Sequence, residues 1–212
     1  MYDSHFQEAK ALAYEFLKER KVQNAVPGVW FEATKIFEEL KNCSEAIKDL
    51  CSHSLISHYE CQCGEHMPGT QNDSVGINLL EPSSPKSIQD LIADFLDGEC
   101  LRVCRSCNHS GLKKIKVIST LPQVLHVIIN RKRYAATRST ITPTLVIKLE
   151  QSSYHLNSYG MYEGTHHVCR LSHQGKYYHY DGYPTSQFDE ISEADFTLPN
   201  DKISFLIFSK FD

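Results

Sequence analysis

Two segments near the start of the chain place apolar residues at helical spacing. Apolar side chains recur every three or four residues between residues 6 and 21, and the same spacing returns from Trp30 to Asn42. A proline and a glycine at positions 27 and 28 separate the two segments. The pattern predicts two amphipathic helices, with helical character that continues as far as Cys51.

From Leu55 onward the period of the apolar pattern shortens to two, which is typical of strands. One exception is a predicted helix that Ser87 caps, with an apolar stripe over residues 88–96 and an end at Gly98. Residues 69–86 are polar and rich in turn residues, so we expect a loop or a loose hairpin there. The predicted strands cover residues 55–64, 101–108, 112–117, 124–130, 144–149, 154–159, 165–171, 176–180 and 203–208. Helices followed by a largely antiparallel sheet predict an α+β fold.

The composition is that of an ordinary globular protein, with 41% hydrophobic and 23% charged residues. The net charge of -4 gives no strong positive field, so we do not expect a nucleic-acid partner. No window approaches the roughly eighteen apolar residues that a membrane span needs. The first residues also lack the apolar run of a secretory signal. We therefore expect no membrane partner and a location in the cytosol or the nucleus.

Two cysteine pairs have the spacing of metal ligands. The eight cysteines of a chain without a recognisable leader are better interpreted as thiols or metal ligands than as disulfides. Cys61-x-Cys63 and Cys104-x-x-Cys107 each lie at the tip of a predicted hairpin, and four thiolates satisfy a tetrahedral zinc ion. We predict a structural zinc; the alternative is four reduced cysteines in a small core. The residues that could replace one ligand are His58, His66, Cys100 and His109.

A third pattern suggests catalytic chemistry. Residues 164–182 predict two short strands joined by a polar turn at residues 172–175, which can bring His166 close to Asp181. A carboxylate beside an imidazole fixes its tautomer and stabilises its charged form, as in the supporting half of a nucleophilic triad. Both residue types are also common beside turns, so the hairpin alone does not establish catalysis.

The order of these features resembles the ubiquitin-specific protease family of deubiquitinating cysteine peptidases, a papain-like fold with a thumb, fingers and a palm. Residues 31–36 resemble the family's thumb-helix signature, and the cysteine pairs around the predicted helix resemble its zinc-bearing fingers. The segments that resemble the palm are Leu121–Arg131 with Arg133-Tyr134, Tyr154–Leu156, His166–Cys169, Gly175–Asp181 and Ser204–Phe208. The resemblance implies one domain over residues 1–212, with a thumb at 1–54, fingers at 55–118 and a palm at 119–212.

The resemblance also implies roles for the hairpin residues. His166 would be the general base and Asp181 its orienting acid, with His167 as an alternative base. The partner would be ubiquitin or a ubiquitin-like protein, and the reaction would be cleavage of an isopeptide bond.

The sequence departs from the family at the nucleophile. The family's cysteine lies in an Asn-x-x-x-x-Cys box ahead of the thumb helices, and no cysteine precedes Phe31 here. Cys43 is a weak candidate because it begins a helical run. Cys169 would point away from His166 on a strand, and neither Cys51 nor Cys100 has a recognisable partner. We therefore predict a domain that binds its partner without cleaving it.

Two alternatives also fit the sequence. The first is an active enzyme whose nucleophile is unorthodox or comes from a further segment or another polypeptide. The second is a zinc-ribbon interaction module with no affinity for ubiquitin.

Overall fold

The computed structural model describes residues 44–131, 138–163, 166–181 and 187–211, with single helical positions at residues 15, 18, 19, 39 and 42. The backbone divides into two compact units, Met1–Lys48 and Asp49–Asp212. The first described helix is α1 (Glu45–Cys51), where the Ser44 hydroxyl accepts from the Ile47 N–H at 3.4 Å. Of the two helices predicted before residue 43, only these single positions are described, and the thumb signature at residues 31–36 lies outside the described residues.

An eight-stranded sheet forms the larger layer of the second unit and is called the large sheet below. Its strands are β3 (Ile77–Leu80), β7 (Val124–Asn130), β9 (Val146–Leu149), β10 (Ser152–Tyr162), β11 (His167–His173), β12 (Lys176–Asp181), β13 (Gln187–Ile191) and β14 (Ile203–Phe211). Their order runs β13-β12-β11-β10-β14-β7-β3, and β9 pairs with one end of β10. All described pairings in this sheet are antiparallel except the one between β3 and β7.

The core lies against this sheet and against α2 (Ile88–Leu96). Ser87 caps α2 by accepting a hydrogen bond from the Asp90 N–H at 3.1 Å, which is the interaction that the sequence predicts. The short helix α3 (Glu193–Phe196) also packs against the core. The buried Tyr159 hydroxyl donates a hydrogen bond to the Phe196 carbonyl there, at 2.6 Å. The bond satisfies a polar group inside the apolar core, where an unmade hydrogen bond would be costly.

A second sheet, called the four-stranded sheet below, consists of β1 (His53–Glu60), β2 (His66–Ser74), β5 (Asp97–Val103) and β6 (Ser110–Thr120). Its order is β2-β1-β6-β5, and all its pairings are antiparallel. The hairpins β1–β2 and β5–β6 both turn at the same end of this sheet, because β1 and β6 are neighbours. A two-stranded parallel pair, β4 (Lys86–Ser87) with β8 (Ile141–Thr142), completes the described strands.

The register between β1 and β2 shifts at Ser57, and a glycine makes the shift possible. A Cβ atom on Gly69 would lie 2.3 Å from the Ser57 carbonyl oxygen. The Ser57 hydroxyl accepts from the Thr70 N–H at 3.0 Å and lies 3.1 Å from the Thr70 carbonyl oxygen. The bulge therefore needs a residue without a side chain at position 69.

Replacing Gly69 with alanine is expected to destabilise the protein by about 2 kcal/mol or more, because the clash is with backbone that cannot move aside. Urea unfolding of both proteins measures the difference. Gly98→Ala is the matched control, since its Cβ would meet only the Asp94 carbonyl oxygen at an ordinary 3.6 Å. That control should change stability by less than about 0.5 kcal/mol, and equal losses in the two variants would contradict the explanation.

The α+β class and the mostly antiparallel sheet are confirmed, and each predicted strand has a counterpart, with the same bounds for β7 and with at least one end shifted for the others. The loop or loose hairpin expected at residues 69–86 is wrong, because the segment contains most of β2 and all of β3, and these two strands lie in different sheets. The sequence pattern did not predict β2, because β2 is an edge strand whose side chains are mostly exposed. Such a strand does not need the alternation of apolar and polar residues by which strands are recognised. The short elements β13 and α3 were also missed. In the described part of the chain, no helix has the length and apolar character that a membrane crossing requires.

Candidate functional site

The hairpin formed by β11 and β12 positions the candidate pair. Gln174 and Gly175 form its two-residue turn with φ values of 51° and 74°, which is the backbone of a type I′ turn. The turn fixes the register that pairs Val168 with Asp181 at the far end. His166 lies two residues before Val168, so the hairpin places the backbone of His166 close to the Asp181 carboxylate.

The two side chains are in direct contact. His166 Nε2 lies 3.0 Å from Asp181 Oδ1 and 3.2 Å from Oδ2. Both side chains are partly shielded, with 27% and 30% of their surface exposed. An imidazole that donates from Nε2 to a carboxylate presents Nδ1 as its lone-pair nitrogen, which is the nitrogen that can accept a proton.

His167, the alternative base, is the first residue of β11 and is paired with Tyr162 on β10. Its ring lies with its centroid 5.2 Å from that of Tyr162. The structure thus joins His166 to Asp181 and places the ring of His167 beside an aromatic neighbour.

Contacts to β14 hold the loop that leads into His166. The Glu163 N–H donates to the His166 carbonyl at 2.9 Å, closing the loop on itself. The Glu163 carboxylate forms an ion pair with Lys202, and the Tyr162 N–H donates to the Lys202 carbonyl at 2.9 Å. The backbone of His166 is therefore tied to the start of β14.

A buried ion pair supports the same end of the large sheet. Arg131 Nη1 lies 3.0 Å from Glu81 Oε1, and the two side chains are only 9% and 5% exposed. Arg131 also donates to the carbonyl oxygens of Ile203 and Ser139, at 3.0 and 2.9 Å. Burial lowers the pKa of the guanidinium, and the Glu81 carboxylate opposes that shift. The sequence pattern did not predict this pair, because residues fifty positions apart carry no local signal.

The described cysteines do not supply a thiol to His166. Cys169 follows Val168, and Val168 shares a face with Asp181, so the Cys169 side chain points to the opposite face. Burial raises the pKa of the Cys169 thiol to about 11, so it carries almost no thiolate at neutral pH. Cys51 is buried at the end of α1, and Cys100 lies on β5 in the four-stranded sheet. Cys43 lies outside the described residues.

The structure brings the four predicted metal ligands together. The sulfur atoms of Cys61, Cys63, Cys104 and Cys107 all lie within 4.8 Å of one another. Cys61 Sγ is 3.5 Å from Cys107 Sγ, and Cys63 Sγ is 3.7 Å from Cys104 Sγ. Tetrahedral zinc with sulfur at about 2.3 Å separates its ligands by about 3.8 Å, so the donor set and its spacing fit the ion.

The two turns that carry these cysteines share a left-handed residue and a closing hydrogen bond. In each turn the residue after the second cysteine is left-handed, with φ of 86° at Gly64 and 58° at Asn108. Its N–H donates to the carbonyl of the first cysteine, at 2.9 Å from Gly64 to Cys61 and 3.0 Å from Asn108 to Cys104. The pair with one intervening residue is thus closed by a hydrogen bond across three residues, and the pair with two intervening residues by one across four.

The electrostatics of the four thiols favour a cation among them. A hydrogen bond from the Cys107 N–H lowers the pKa of Cys104 to about 7. A hydrogen bond from the Cys63 N–H likewise lowers the pKa of Cys61. Burial and the hydrogen bonds with the other thiols outweigh this effect, so the pKa of Cys61 is raised to about 12. Four thiolates cannot coexist at this separation without a positive charge, and a divalent metal ion would supply it. The four cysteines can therefore bind a metal ion.

Comparisons with known proteins identify the fold. No protein-family model matches the chain, and no curated protein matches it. Among solved structures, it is similar to a chain of a SAGA DUB module of Ubp8, Sgf11, Sus1 and Sgf73 bound to monoubiquitin, with a TM-score of 0.63 and 15% identity over 78% of this chain and 42% of that one. A second such module gives a TM-score of 0.65 and 14% identity over 86% and 49%. A yeast SAGA DUB module gives 0.63 and 16% over 86% and 46%.

The chain has the fold of these DUB-module chains. It spans less than half the length of each of them. At such low identity the similarity concerns the fold alone, and the chemistry must be argued from the residues of this chain.

Proposed function

We propose that this chain is a deubiquitinase-like domain of the ubiquitin-specific protease type, which binds the C-terminal tail of ubiquitin or a ubiquitin-like protein beside His166 and Asp181. The observation that carries the proposal is the contact of 3.0 Å between these side chains on the β11–β12 hairpin. The fold supports it, because the similar DUB-module structures include one bound to monoubiquitin.

In a complete site, the pair would serve thiol chemistry. His166 would take the proton of a cysteine thiol through Nδ1 while Asp181 holds the ring. The thiolate would attack the isopeptide carbonyl, and the imidazolium would return the proton to the departing lysine amine. Water would then hydrolyse the thioester. His167 remains the alternative base.

We propose that this chain by itself binds its partner without cleaving it. Cys169 points away from the pair, and burial raises the pKa of its thiol. The other described cysteines lie in α1, on β5 or in the two cysteine turns of the four-stranded sheet. A nucleophile from Cys43, from a further segment or from another polypeptide would make the same site an active isopeptidase.

The four-cysteine cluster is proposed to hold a structural zinc. In this assignment β1, β2, β5 and β6 correspond to the fingers of the family, and the large sheet corresponds to the palm. The thumb at residues 1–54 and the single-domain arrangement remain predictions. Thiols held as metal ligands also suit the cytosol or the nucleus.

Two titrations test the proposal. The zinc-loaded chain should bind unmodified ubiquitin or a ubiquitin-like protein at one site, as measured by calorimetry. The same chain should form no covalent adduct with ubiquitin that carries a thiol-reactive group at its C-terminus, as measured by mass spectrometry. An adduct on Cys43 would contradict the non-catalytic part of the proposal, and its disappearance in Cys43→Ser would assign the nucleophile.

A second function is favoured by one specific observation, the paired cysteine turns at one end of the four-stranded sheet. Such a zinc ribbon can act as a protein-interaction module without any role for the hairpin. Full zinc occupancy and intact structure, together with no binding to any ubiquitin-like protein, would favour this second function over the first.

A further inference from the structure

The strand β3 forms one edge of the large sheet. It pairs with β7 on one side, and no described strand pairs with its other side. The Glu81 N–H, directly after β3, donates to the Asn130 carbonyl of β7 at 3.3 Å. Successive residues of a strand direct their backbone groups to opposite edges, so Leu79 also bonds to β7, whereas the N–H and C=O groups of Asn78 and Leu80 point outward. These outward groups can bind a further strand.

A cavity of about 440 Å³ lies beside this edge and is lined by residues of β3, α2, β5 and β6. Leu91 and Phe95 of α2 give it an apolar wall, and Lys114 and Lys116 of β6 give it positive charge. Leu80 of β3 also lines it and is 79% exposed. A strand added to β3 would therefore have both an apolar surface and two ammonium groups within reach of its side chains.

The charges in the cavity favour an anionic ligand. Three carboxylates line it, and two of them are engaged by other cations, in the ion pairs Glu81–Arg131 and Asp94–Lys86. Within the described part of the chain, neither Lys114 nor Lys116 forms an ion pair with the third, Glu99, or with any other carboxylate. Lys116 Nζ lies 3.3 Å from the centroid of the Phe95 ring, and burial together with the Lys114 charge lowers the pKa of Lys116. A carboxylate in the cavity would stabilise both ammonium groups.

We propose that the open edge of β3 and the cavity beside it bind an extended segment of a partner protein, which adds a strand to β3 and places an acidic side chain beside Lys114 and Lys116. In this mode of recognition, backbone hydrogen bonds give affinity and the neighbouring side-chain site gives specificity. A strand of only four residues offers few backbone bonds, so the two lysines supply the selection.

This docking site is separate from the pair of His166 and Asp181. The strands β10, β14 and β7 lie between β11 and β3 in the large sheet. A segment bound at β3 would therefore occupy none of the strands that carry the histidine and the aspartate, and both sites can be filled at once.

Calorimetry with synthetic peptides and the full-length, zinc-loaded chain tests the proposal. The probe is a short peptide with blocked ends that alternates valine and glutamate, and one equivalent is expected to bind. The same peptide with glutamine in place of glutamate should bind at least about tenfold more weakly, because it cannot pair with the lysines. N-methylation of two consecutive central residues should have an effect of similar size, since it blocks both edges of the peptide strand.

Two pairs of variants test the protein side. Lys116→Gln should weaken binding of the glutamate peptide at least about tenfold. Lys113→Gln is its control, because Lys113 lies on the same strand outside the cavity and is engaged by Asp97 at 2.8 Å. Asn78→Pro should abolish binding, since it removes an outward N–H that β7 does not use. Asn78→Ala keeps that N–H and should bind as the unaltered chain does.

Three results would overturn the proposal. They are no binding of the glutamate peptide by the unaltered chain, equal binding of the glutamate and glutamine peptides, and binding that survives N-methylation of the peptide. The last result would show that the cavity takes an anion without strand addition. The peptide comparisons do not depend on the folding of any variant. None of these results bears on ubiquitin recognition, so the two proposals stand or fall separately.

Discussion

Replacing Cys104 with serine is expected to abolish the bound zinc equivalent and to unfold the four-stranded sheet. Cys104 is fully buried, and the pKa of its thiol is lowered, whereas the pKa values of the Cys61 and Cys107 thiols are raised. Its loss therefore removes one of the four sulfur ligands from the buried side of the cluster. A structural zinc contributes its binding free energy directly to folding. Hydrogen exchange should become fast throughout β1 and β6, while β7 and β14 keep their protection.

Cys100→Ser provides the matched control for this experiment. Cys100 packs against the small core around the cluster but is not among the four gathered sulfur atoms. This variant should keep one zinc equivalent and the protection of β1 and β6. Zinc retained in Cys104→Ser, or lost in Cys100→Ser, would show that the four cysteines do not form the metal site.

Replacing Arg131 with alanine is expected to destabilise the protein by about 3 to 5 kcal/mol, because it leaves the buried Glu81 carboxylate without its guanidinium partner. It also removes the donor to the Ile203 carbonyl at the start of β14, where the loop of His166 is anchored. Urea unfolding measures the stability. Hydrogen exchange should show that Ile203 and its neighbours are affected more than the β11–β12 turn.

A double substitution separates the ion pair from simple loss of packing. Arg131→Met combined with Glu81→Leu should recover most of the stability, since an apolar pair of similar size avoids the buried charge. Arg102→Ala is the control: Arg102 lies over the Tyr59 ring at 4.2 Å on an exposed strand, and its loss should cost about 1 kcal/mol or less. Equal costs for Arg131→Ala and Arg102→Ala would contradict the role given to the buried pair.

Local chemistry explains why parts of this structure follow from sequence. The cap of α2 depends on one serine hydroxyl and the first turn after it, both of which are visible in residues 87–90. The β11–β12 hairpin depends on a glycine at position 175 between two strands of alternating pattern. Because that turn fixes the register, the proximity of His166 and Asp181 could be predicted from the sequence.

Other features depend on interactions that no local pattern carries. The Arg131–Glu81 pair joins the end of β7 to the segment after β3, and only the folded sheet brings them together. The choice between His166 and His167 depends on which of the two side chains contacts Asp181. The sequence alone does not show this, because the two histidines are adjacent. The short spacing of Cys61 and Cys63 goes with a turn that closes one residue earlier than the turn of Cys104 and Cys107, which ligand spacing alone does not predict.

The central claim is that the His166–Asp181 pair lies where a ubiquitin-like tail binds. Side-chain NMR of the zinc-loaded chain, with its histidines isotopically labelled, tests this when ubiquitin is added. We predict saturable changes in the His166 imidazole signals, unchanged signals from His173, and loss of the His166 response when the C-terminal tail of ubiquitin is removed. Saturable ubiquitin binding that leaves the His166 signals unchanged would contradict the claim, as would a folded, zinc-loaded chain that binds neither ubiquitin nor any ubiquitin-like protein.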